Sequence, residues 1–206
     1  MRKIASIFIC LLMFLSGCTG NEESPNVEDN ALKEGDQIPE TTGFAYVNGS
    51  WVDYNLSESI NNSGNHHVIL FSNTDCGYCM IGNSDIESYA NDFPIVVVYI
   101  MVGFDDGGTG FDSSREEIVA FRNMDDYSGC GNGGGDNCNS RDGNPHNWTY
   151  MDDLQDQNME NWSIIGTPIS FIVDGDSKLV WHPDQHLENE TSDGENLGQA
   201  LSRILG

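Results

Sequence analysis

Two nearly uninterrupted apolar runs in the middle of the chain predict buried strands. They occupy residues 67–71 and 94–102, and the second is β-branched at most positions, as expected of a strand covered on both faces. Between them, residues 78–93 place Ile81 and Ile86 on one face of a predicted helix and acidic residues on the other. A strand, a helix and a strand in this order form a βαβ unit, so we expect the two strands to be parallel.

Shorter patterns on both sides extend this unit into an α/β domain. Apolar runs at 44–47 and 51–54 flank the dipeptide Asn-Gly at 48–49, which is a strong hairpin-turn signal. Ser192 and Glu195 have the spacing of a capping box before a final helix. The other predicted elements are a helical turn at 56–60, a helix at 114–123, an irregular Gly- and Asn-rich segment at 128–145, a strand at 148–151, a helix at 154–162, a hairpin of strands at 169–173 and 178–181, and a final helix containing Leu197, Leu201, Ile204 and Leu205.

The N-terminus has the pattern of an export signal. Arg2 and Lys3 precede an apolar run at 4–15, which is too short to span a bilayer comfortably and ends in small residues. The tetrapeptide LSGC at 15–18 resembles the lipobox of secreted lipoproteins, in which the cysteine is lipidated. This resemblance implies that Cys18 anchors the protein to the membrane. The alternatives are an ordinary cleaved signal with an unmodified cysteine and a retained signal anchor.

The chain is therefore predicted to have three segments. Residues 1–17 are the lipoprotein signal peptide, and residues 18–34 are the lipidated cysteine and an acidic tether that we expect to be disordered. Residues 35–206 are long enough for one domain with a hydrophobic core. We expect a lipid-anchored protein of the cell membrane whose domain faces the extracytoplasmic side.

The charge of the chain excludes one class of partner. There are 8 Lys and Arg residues against 33 Asp and Glu residues, and the formal net charge is −25. Nucleic acid would be repelled over almost the whole surface, so no nucleic-acid partner is expected. A solvated acidic surface is the simplest interpretation.

The cysteines fall into groups with different predicted roles. Once Cys10 leaves with the signal and Cys18 takes lipid, four cysteines remain, an even set in a compartment that permits disulfides. We interpret Cys130 and Cys138 as a structural disulfide that closes a Gly-rich loop, the alternative being a second redox couple. Their separation by seven residues is far from the spacing of most zinc knuckles, which disfavours a zinc site.

The other pair forms a Cys-Gly-Tyr-Cys motif between the strand at 67–71 and the predicted helix. A cysteine at a helix N-terminus meets unsatisfied N–H groups and the positive end of the helix dipole, which favour the thiolate. We therefore predict that Cys76 attacks a substrate disulfide and that Cys79, one turn further and buried, resolves the mixed disulfide. Gly77 lets the backbone bend tightly, and Tyr78 projects outward beside the pair.

The order of these features resembles the thioredoxin fold. Residues 35–39 and the hairpin turn at 48–49 resemble the N-terminal extension of the TlpA/ResA-type, membrane-anchored thiol-disulfide oxidoreductases. The stretch NWSIIGTPISFIVDGDSKLVWHP at 161–183 is similar to that family's segment from the last helix through the cis-proline and the β-hairpin. The resemblance covers nearly all of residues 35–206. It implies a central mixed β-sheet flanked by helices, here with an N-terminal β-hairpin extension and a Gly/Asn-rich insertion.

The same resemblance implies roles for individual residues. Cys76 corresponds to the nucleophile, Cys79 to the resolving cysteine, and Pro168 to a cis-proline preceded by Thr167. In the family this loop faces the disulfide, pairs with a substrate strand and keeps metal away from the cysteines. We expect no cofactor and no metal. The predicted substrate-binding residues are Gly77, Tyr78, Thr167 and Pro168.

Two positions depart from the thioredoxin pattern. Asp75 replaces the usual Trp before the first cysteine, and its carboxylate would oppose the thiolate unless it points to solvent. Leu70 stands where thioredoxins carry a buried acid that helps to deprotonate the second cysteine. The stretch 71–79 instead resembles the active-site segment of bacterial periplasmic disulfide isomerases. A reductase or an isomerase is therefore favoured over an oxidase.

The function implied is disulfide exchange with exported proteins that carry thiols or disulfides. A membrane protein or a thioredoxin-like protein would serve as electron donor. The alternative is a non-catalytic thioredoxin-fold binding module or a copper chaperone, with Cys76 and Cys79 as a staple or as ligands together with a histidine such as His182. Asp136, Asn139 and Asp142 hint at a calcium loop, but the pattern lacks a Glu at the twelfth position. We expect His146, His182 and His186 to lie on the surface.

Overall fold

The structure, a computed structural model, describes residues 32–104, 113–186 and 194–206. The predicted signal peptide, Cys18 and most of the predicted tether lie outside these residues, as does Ser192. The elements of the described part are β1 (Thr42–Val47), β2 (Ser50–Asn55), α1 (Leu56–Ser63), β3 (His66–Ser72), α2 (Asn83–Asp92), β4 (Ile95–Val102), α3 (Arg115–Asn123), β5 (Ser128–Cys130), β6 (Asp136–Asn137), β7 (Thr149–Asp153), α4 (Gln157–Asn161), β8 (Ile169–Val173), β9 (Leu179–Trp181) and α5 (Leu197–Leu205), with short 3₁₀ turns at Gly77–Met80, Cys138–Ser140 and Pro183–His186.

Seven strands form one mixed sheet in the order β2-β1-β7-β4-β3-β8-β9. Strands β3 and β4 are parallel, with Ile69 opposite Val98, which confirms the predicted βαβ unit. Strands β4 and β7 are also parallel, and the remaining pairs are antiparallel. The predicted N-terminal hairpin β1–β2 joins the sheet by pairing β1 with β7.

The core lies on both faces of the sheet, because strand side chains alternate between the faces. Val68 and Val97 belong to one buried cluster, which also contains side chains of α2, α3 and α5. Ile69 and Val98 belong to the other, on the side of α1 and α4. The prediction that β4 is covered on both faces is thus confirmed, and the sheet is flanked by helices.

The helix predicted at 78–93 is interrupted. A 3₁₀ turn, Gly77–Met80, follows Cys76, and α2 begins only at Asn83. Gly82 separates the two with a φ of 84°, a left-handed conformation that glycine adopts at little cost. Cys76 therefore precedes a single short turn instead of a continuous helix, and the helix-dipole argument for its acidity does not apply in its predicted form.

The segment at 128–145, hereafter the insertion, was expected to be irregular but contains a small sheet of β5 and β6. The sulfur atoms of Cys130 and Cys138 are bonded, and both residues are fully buried. Gly131, Gly133 and Gly134 all have positive φ, which allows the chain to reverse between the two strands. Glycine content therefore made a compact turn possible here.

Two helix boundaries also differ from those predicted. The helix expected at 154–162 is reduced to α4, whose first amides are bound by the carboxylate of Asp153, an acceptor for the N–H groups of Asn158 and Met159. Helix α5 has a capping box formed by Asn196 and Gln199, not by Glu195. Within the described ranges, we find no helix whose length and apolar character would suit it to span a membrane.

Candidate active site

The Cys-Gly-Tyr-Cys motif is held at the carboxyl end of β3 by a buried asparagine. The side chain of Asn73 donates a hydrogen bond of 2.7 Å to the carbonyl of Val102 at the end of β4. Its Oδ1 atom accepts a bond of 2.7 Å from the N–H of Asp75. The ends of the two central strands and the residue before Cys76 are thereby tied together.

The two cysteines of the motif differ in exposure and in acidity. Cys76 is partly exposed, whereas Cys79 is 3 % exposed, and neither is in a disulfide. The Cys79 backbone N–H donates a hydrogen bond of 3.2 Å to the Sγ atom of Cys76. A hydrogen bond from the Cys79 thiol is the main cause that lowers the pKa of Cys76 to about 6; partial burial opposes it, and Thr167 and the Cys79 N–H add to it. Burial and the neighbouring Cys76 raise the pKa of Cys79 far above its usual range.

The Thr-Pro turn faces this pair. The peptide bond between Thr167 and Pro168 is cis. The Sγ atom of Cys76 lies 3.7 Å from the carbonyl oxygen of Thr167, close enough for a thiol hydrogen bond. Pro168 and Cys79 line one cavity of about 380 Å³, and Leu70 is part of its wall.

Cys76 opens into a cleft of about 510 Å³ with apolar side chains at its rim. Tyr78 is 77 % exposed and Ile165 is 98 % exposed. Both line the cleft together with the Cys76 thiol. The cleft is lined by Asp75, Cys76, Gly77, Tyr78, Phe104, Asn132, Gly133, Ile165, Gly166 and Thr167.

The insertion forms a wall of this cleft, which sequence reasoning missed. The N–H of Gly131 donates to the carbonyl of Thr74 at 2.7 Å, and the N–H of Gly133 donates to that of Asp75 at 2.8 Å. A Cβ atom on Gly77 would lie 2.6 Å from Oδ1 of Asn132. A side chain at position 77 would therefore displace the Asn132 amide from its place in the insertion. The only hint in the sequence was the pair of cysteines that closes the loop.

Asp75 does not point to solvent, because it is 1 % exposed. Of the two arrangements considered from the sequence, the fold adopts the buried one, with the residue between the end of β3 and the insertion. Leu70, at the position of the thioredoxin acid, is also buried.

His146 was predicted to lie on the surface, and this was wrong. It is 5 % exposed, and its Nδ1 atom lies 2.6 Å from the hydroxyl of Tyr150. Its Nε2 atom lies 3.1 Å from the guanidinium of Arg141 and 3.2 Å from Glu87. Burial, together with the positive charge of Arg141, lowers the pKa of His146 to about 3, so the imidazole is neutral at physiological pH. His182 and His186 are half-buried.

The acidic side chains considered for calcium have separate partners. The carboxylate of Asp136 accepts a bond from the side chain of Asn132, whereas that of Asp142 accepts bonds from the start of α2. Throughout 32–104, 113–186 and 194–206, no group of three His, Cys, Asp or Glu side chains is arranged to hold a metal ion.

Comparison with solved structures places this geometry in a known architecture. A putative thiol:disulfide interchange protein DsbE from Chlorobium tepidum superposes with a TM-score of 0.52 at 20 % identity, covering 85 % of this chain and all of the other. A hypothetical protein from Sinorhizobium meliloti 1021 gives 0.53 at 17 % identity, covering 84 % and 82 %. The chain has the thioredoxin-like fold.

A peroxiredoxin of known structure also superposes on this chain. Reduced 2-Cys peroxiredoxin from Plasmodium vivax superposes with a TM-score of 0.52 at 12 % identity, covering 82 % of this chain and 78 % of the peroxiredoxin. No protein-family model matches the sequence. No curated protein is significantly similar to it. At these identities the matches show the fold, and the chemistry has to be argued from the site itself.

Proposed function

We propose that this chain is an extracytoplasmic, membrane-tethered thiol-disulfide oxidoreductase that exchanges disulfides with exported proteins. The observation that supports this most is the unequal cysteine pair, in which Cys76 is acidic and accessible and Cys79 is buried and protonated. Thiolates, not thiols, attack disulfides, so this inequality assigns a direction to the reaction within the pair. One structural neighbour, the putative thiol:disulfide interchange protein from Chlorobium tepidum, is named for chemistry that agrees with this site.

The reaction balances with the two cysteines and one substrate disulfide. The thiolate of Cys76 attacks one substrate sulfur, the substrate S–S bond breaks, and the released substrate thiolate takes up a proton. Cys79 then loses its proton and attacks the Sγ atom of Cys76, which releases the second substrate thiol and leaves a Cys76–Cys79 disulfide. The substrate gains two electrons and the pair loses two. A membrane or thioredoxin-like donor would return the pair to the dithiol, and isomerisation would stop after the first step and reverse.

We propose a polypeptide substrate because of the shape and character of the cleft. Tyr78 and Ile165 line the same cleft as Cys76 and offer exposed apolar side chains, and the carbonyl of Thr167 is beside the sulfur. Reduction or isomerisation is proposed over oxidation because of the isomerase-like stretch at 71–79. Thiol alkylation in cells should therefore find the pair mostly reduced, and a mostly oxidised pair would contradict this direction.

Substrate trapping tests the exchange itself. Cys79→Ala prevents resolution, so Cys76 should accumulate mixed disulfides with exported proteins, visible as adducts that a reductant removes. The control is the double variant Cys76→Ala/Cys79→Ala, which should form none. Absence of adducts with folded Cys79→Ala protein would contradict the proposal, as would a reduction potential outside the range of roughly −300 to −120 mV that exchange requires.

The location is tested separately. Lipidation of Cys18 would keep the domain close to the bilayer through two acyl chains, each methylene contributing about 0.8 kcal/mol. Cys18→Ser should move the protein from the membrane fraction to the soluble extracytoplasmic fraction. A variant that stays with the membrane would contradict anchoring at this residue.

A further inference from the structure

The insertion is bonded to the backbone on both sides of the Cys-Gly-Tyr-Cys turn. On the amino side, Gly131 and Gly133 donate to the carbonyls that precede Cys76, as described above. On the carboxyl side, the N–H of Asp142 donates a bond of 2.9 Å to the carbonyl of Met80. A four-residue 3₁₀ turn that no helix continues has few internal hydrogen bonds, and the contacts from the insertion add restraints at both of its ends.

Asp142 also supplies the cap that α2 lacks locally. Gly82, the residue before α2, has no side chain that could accept from the first amides. The Asp142 carboxylate accepts bonds of 3.1 Å from the N–H of Gly82, 2.9 Å from the N–H of Asn83 and 3.1 Å from the hydroxyl of Ser84. These bonds outweigh partial burial and lower the pKa of Asp142 below its ordinary value. A residue 59 positions away in the chain thus satisfies the N-terminus of the helix.

Asn83 connects Asp142 to the Cys-Gly-Tyr-Cys turn. Its side-chain Nδ2 donates a bond of 3.0 Å to the carbonyl of Cys79. Its Oδ1 accepts a bond of 2.8 Å from the buried hydroxyl of Tyr99. Asn83 is 3 % exposed, so its orientation is fixed by these partners. The chain of contacts therefore leads from Asp142 through Asn83 to Cys79.

We propose that the insertion is a clamp on the Cys-Gly-Tyr-Cys turn and that Asp142 is its positioning residue, acting through Asn83 on the backbone of Cys79. This inference rests on the proposed function, since the purpose of the clamp is to keep the Cys79 N–H directed at the reactive sulfur of Cys76. Loosening the turn would lengthen that hydrogen bond and make the thiolate less favourable. The insertion is then part of the redox site and not a neutral surface loop.

The direction in which the pKa of Cys76 changes in Asp142→Asn distinguishes a positioning role from the effect of the lost charge alone. Asp142→Asn removes a negative charge, which by itself would favour the thiolate and lower the pKa of Cys76. Loss of positioning would raise it instead. A net hydrogen bond contributes enough to shift a pKa by about half a unit to one unit, so at pH 5 the alkylation rate of Cys76 should fall roughly three- to tenfold.

The experiment measures the iodoacetamide reaction of Cys76 against pH in three full-length proteins. They are wild type, Asp142→Asn and the control Asp126→Asn, whose exposed carboxylate accepts a bond from Asn137 and does not contact α2 in the structure. A raised midpoint in Asp142→Asn alone supports the clamp. An unchanged or lowered midpoint in folded Asp142→Asn would overturn it.

If Asp142→Asn does not fold, Asp142→Glu decides in the same way, because it keeps the charge and displaces the carboxylate by one methylene. A raised midpoint supports positioning and an unchanged one refutes it. The two proposals fail differently. A wild-type midpoint near that of an ordinary thiol would contradict the proposed function, whereas a wild-type midpoint near 6 that Asp142→Asn does not raise would contradict the clamp alone.

Discussion

The backbone N–H of Cys79 lies 3.2 Å from the Sγ atom of Cys76 and donates a hydrogen bond to it. This contact connects Cys79, the proposed resolving residue, to Cys76, the proposed nucleophile. Because hydrogen bonding to a charged form lowers its energy, this contact within the turn favours a thiolate at Cys76.

The alkylation of Cys76 should therefore follow a titration with a midpoint near pH 6. Cys79 should stay unmodified in the native protein, since it is buried and its pKa is raised. Mass spectrometry of the alkylated protein distinguishes the two sites. In Cys79→Ala the thiol donor is lost while the backbone N–H remains, so the midpoint should rise but stay below that of an ordinary thiol. A wild-type midpoint near 9 would show that neither bond stabilises the thiolate.

Ile165 should matter for protein substrates and not for small ones. Its side chain is almost fully exposed beside the cleft, so contact with a polypeptide would bury apolar surface. Ile165→Ser should slow reduction of a protein disulfide by about tenfold, equivalent to partial burial of one such side chain. The rate with a small aromatic disulfide should be unchanged. Equal slowing of both reactions would mean that the substitution disturbs the site itself.

Gly77→Ala should destabilise the fold through the insertion. The added Cβ would lie 2.6 Å from Oδ1 of Asn132, whose amide is bonded to Asp136. Since only the end of the Asn132 side chain has to shift, the cost in the free energy of unfolding should be about 1 kcal/mol, the low end of the range for overpacking.

Asn132→Gly is the matched partner, because Asn132 has a φ of 46° that glycine adopts readily. A double-mutant cycle by urea denaturation should find that Gly77→Ala costs less in the Asn132→Gly background. Additive effects would indicate that the two residues are not in contact.

The disulfide of the insertion should stabilise the whole domain. Closing this short loop contributes about 2.5 kcal/mol on the chain-entropy model, so Cys130→Ala/Cys138→Ala should lower the free energy of unfolding by roughly that amount. Since both residues are fully buried, a mild reductant should reduce the Cys76–Cys79 disulfide of the oxidised protein and leave this bond intact. Loss of the Cys130–Cys138 bond at the same reductant concentration would argue for the redox-relay alternative.

His146 should make the fold sensitive to acid. Its pKa is about 3 in the folded protein and near 6.5 when unfolded, so between these values only the unfolded chain takes up the proton. Stability is then fully present above about pH 6.5 and falls as the pH is lowered toward 3. His146→Gln should reduce the slope of unfolding free energy against pH by up to about 1.4 kcal/mol per unit in this window. An unchanged slope would mean that other groups dominate acid unfolding.

Much of the fold was predictable because its signals are local. The β-branched run of β4 and the Asn-Gly turn between β1 and β2 each depend on a few neighbouring residues. The start of α2 was harder to predict, because the interruption at Gly82 is stabilised by the Asp142 carboxylate of the insertion. The burial of His146 likewise depends on its contacts with Arg141 and Tyr150. The hydrophobic periodicity of a single segment does not predict such contacts.

By itself, the sequence determined the order of the strands of the main sheet, the parallel βαβ unit and the position of the Cys-Gly-Tyr-Cys motif at a strand end. Apolar periodicity and turn chemistry act over a few residues, so they can be read without the fold. Only the tertiary structure decided that the insertion packs on the cysteine turn, that Asp142 caps α2 and that Asp75 is buried. Those contacts join residues far apart in the chain, and their geometry exists only once the sheet and the disulfide-closed loop have brought them together.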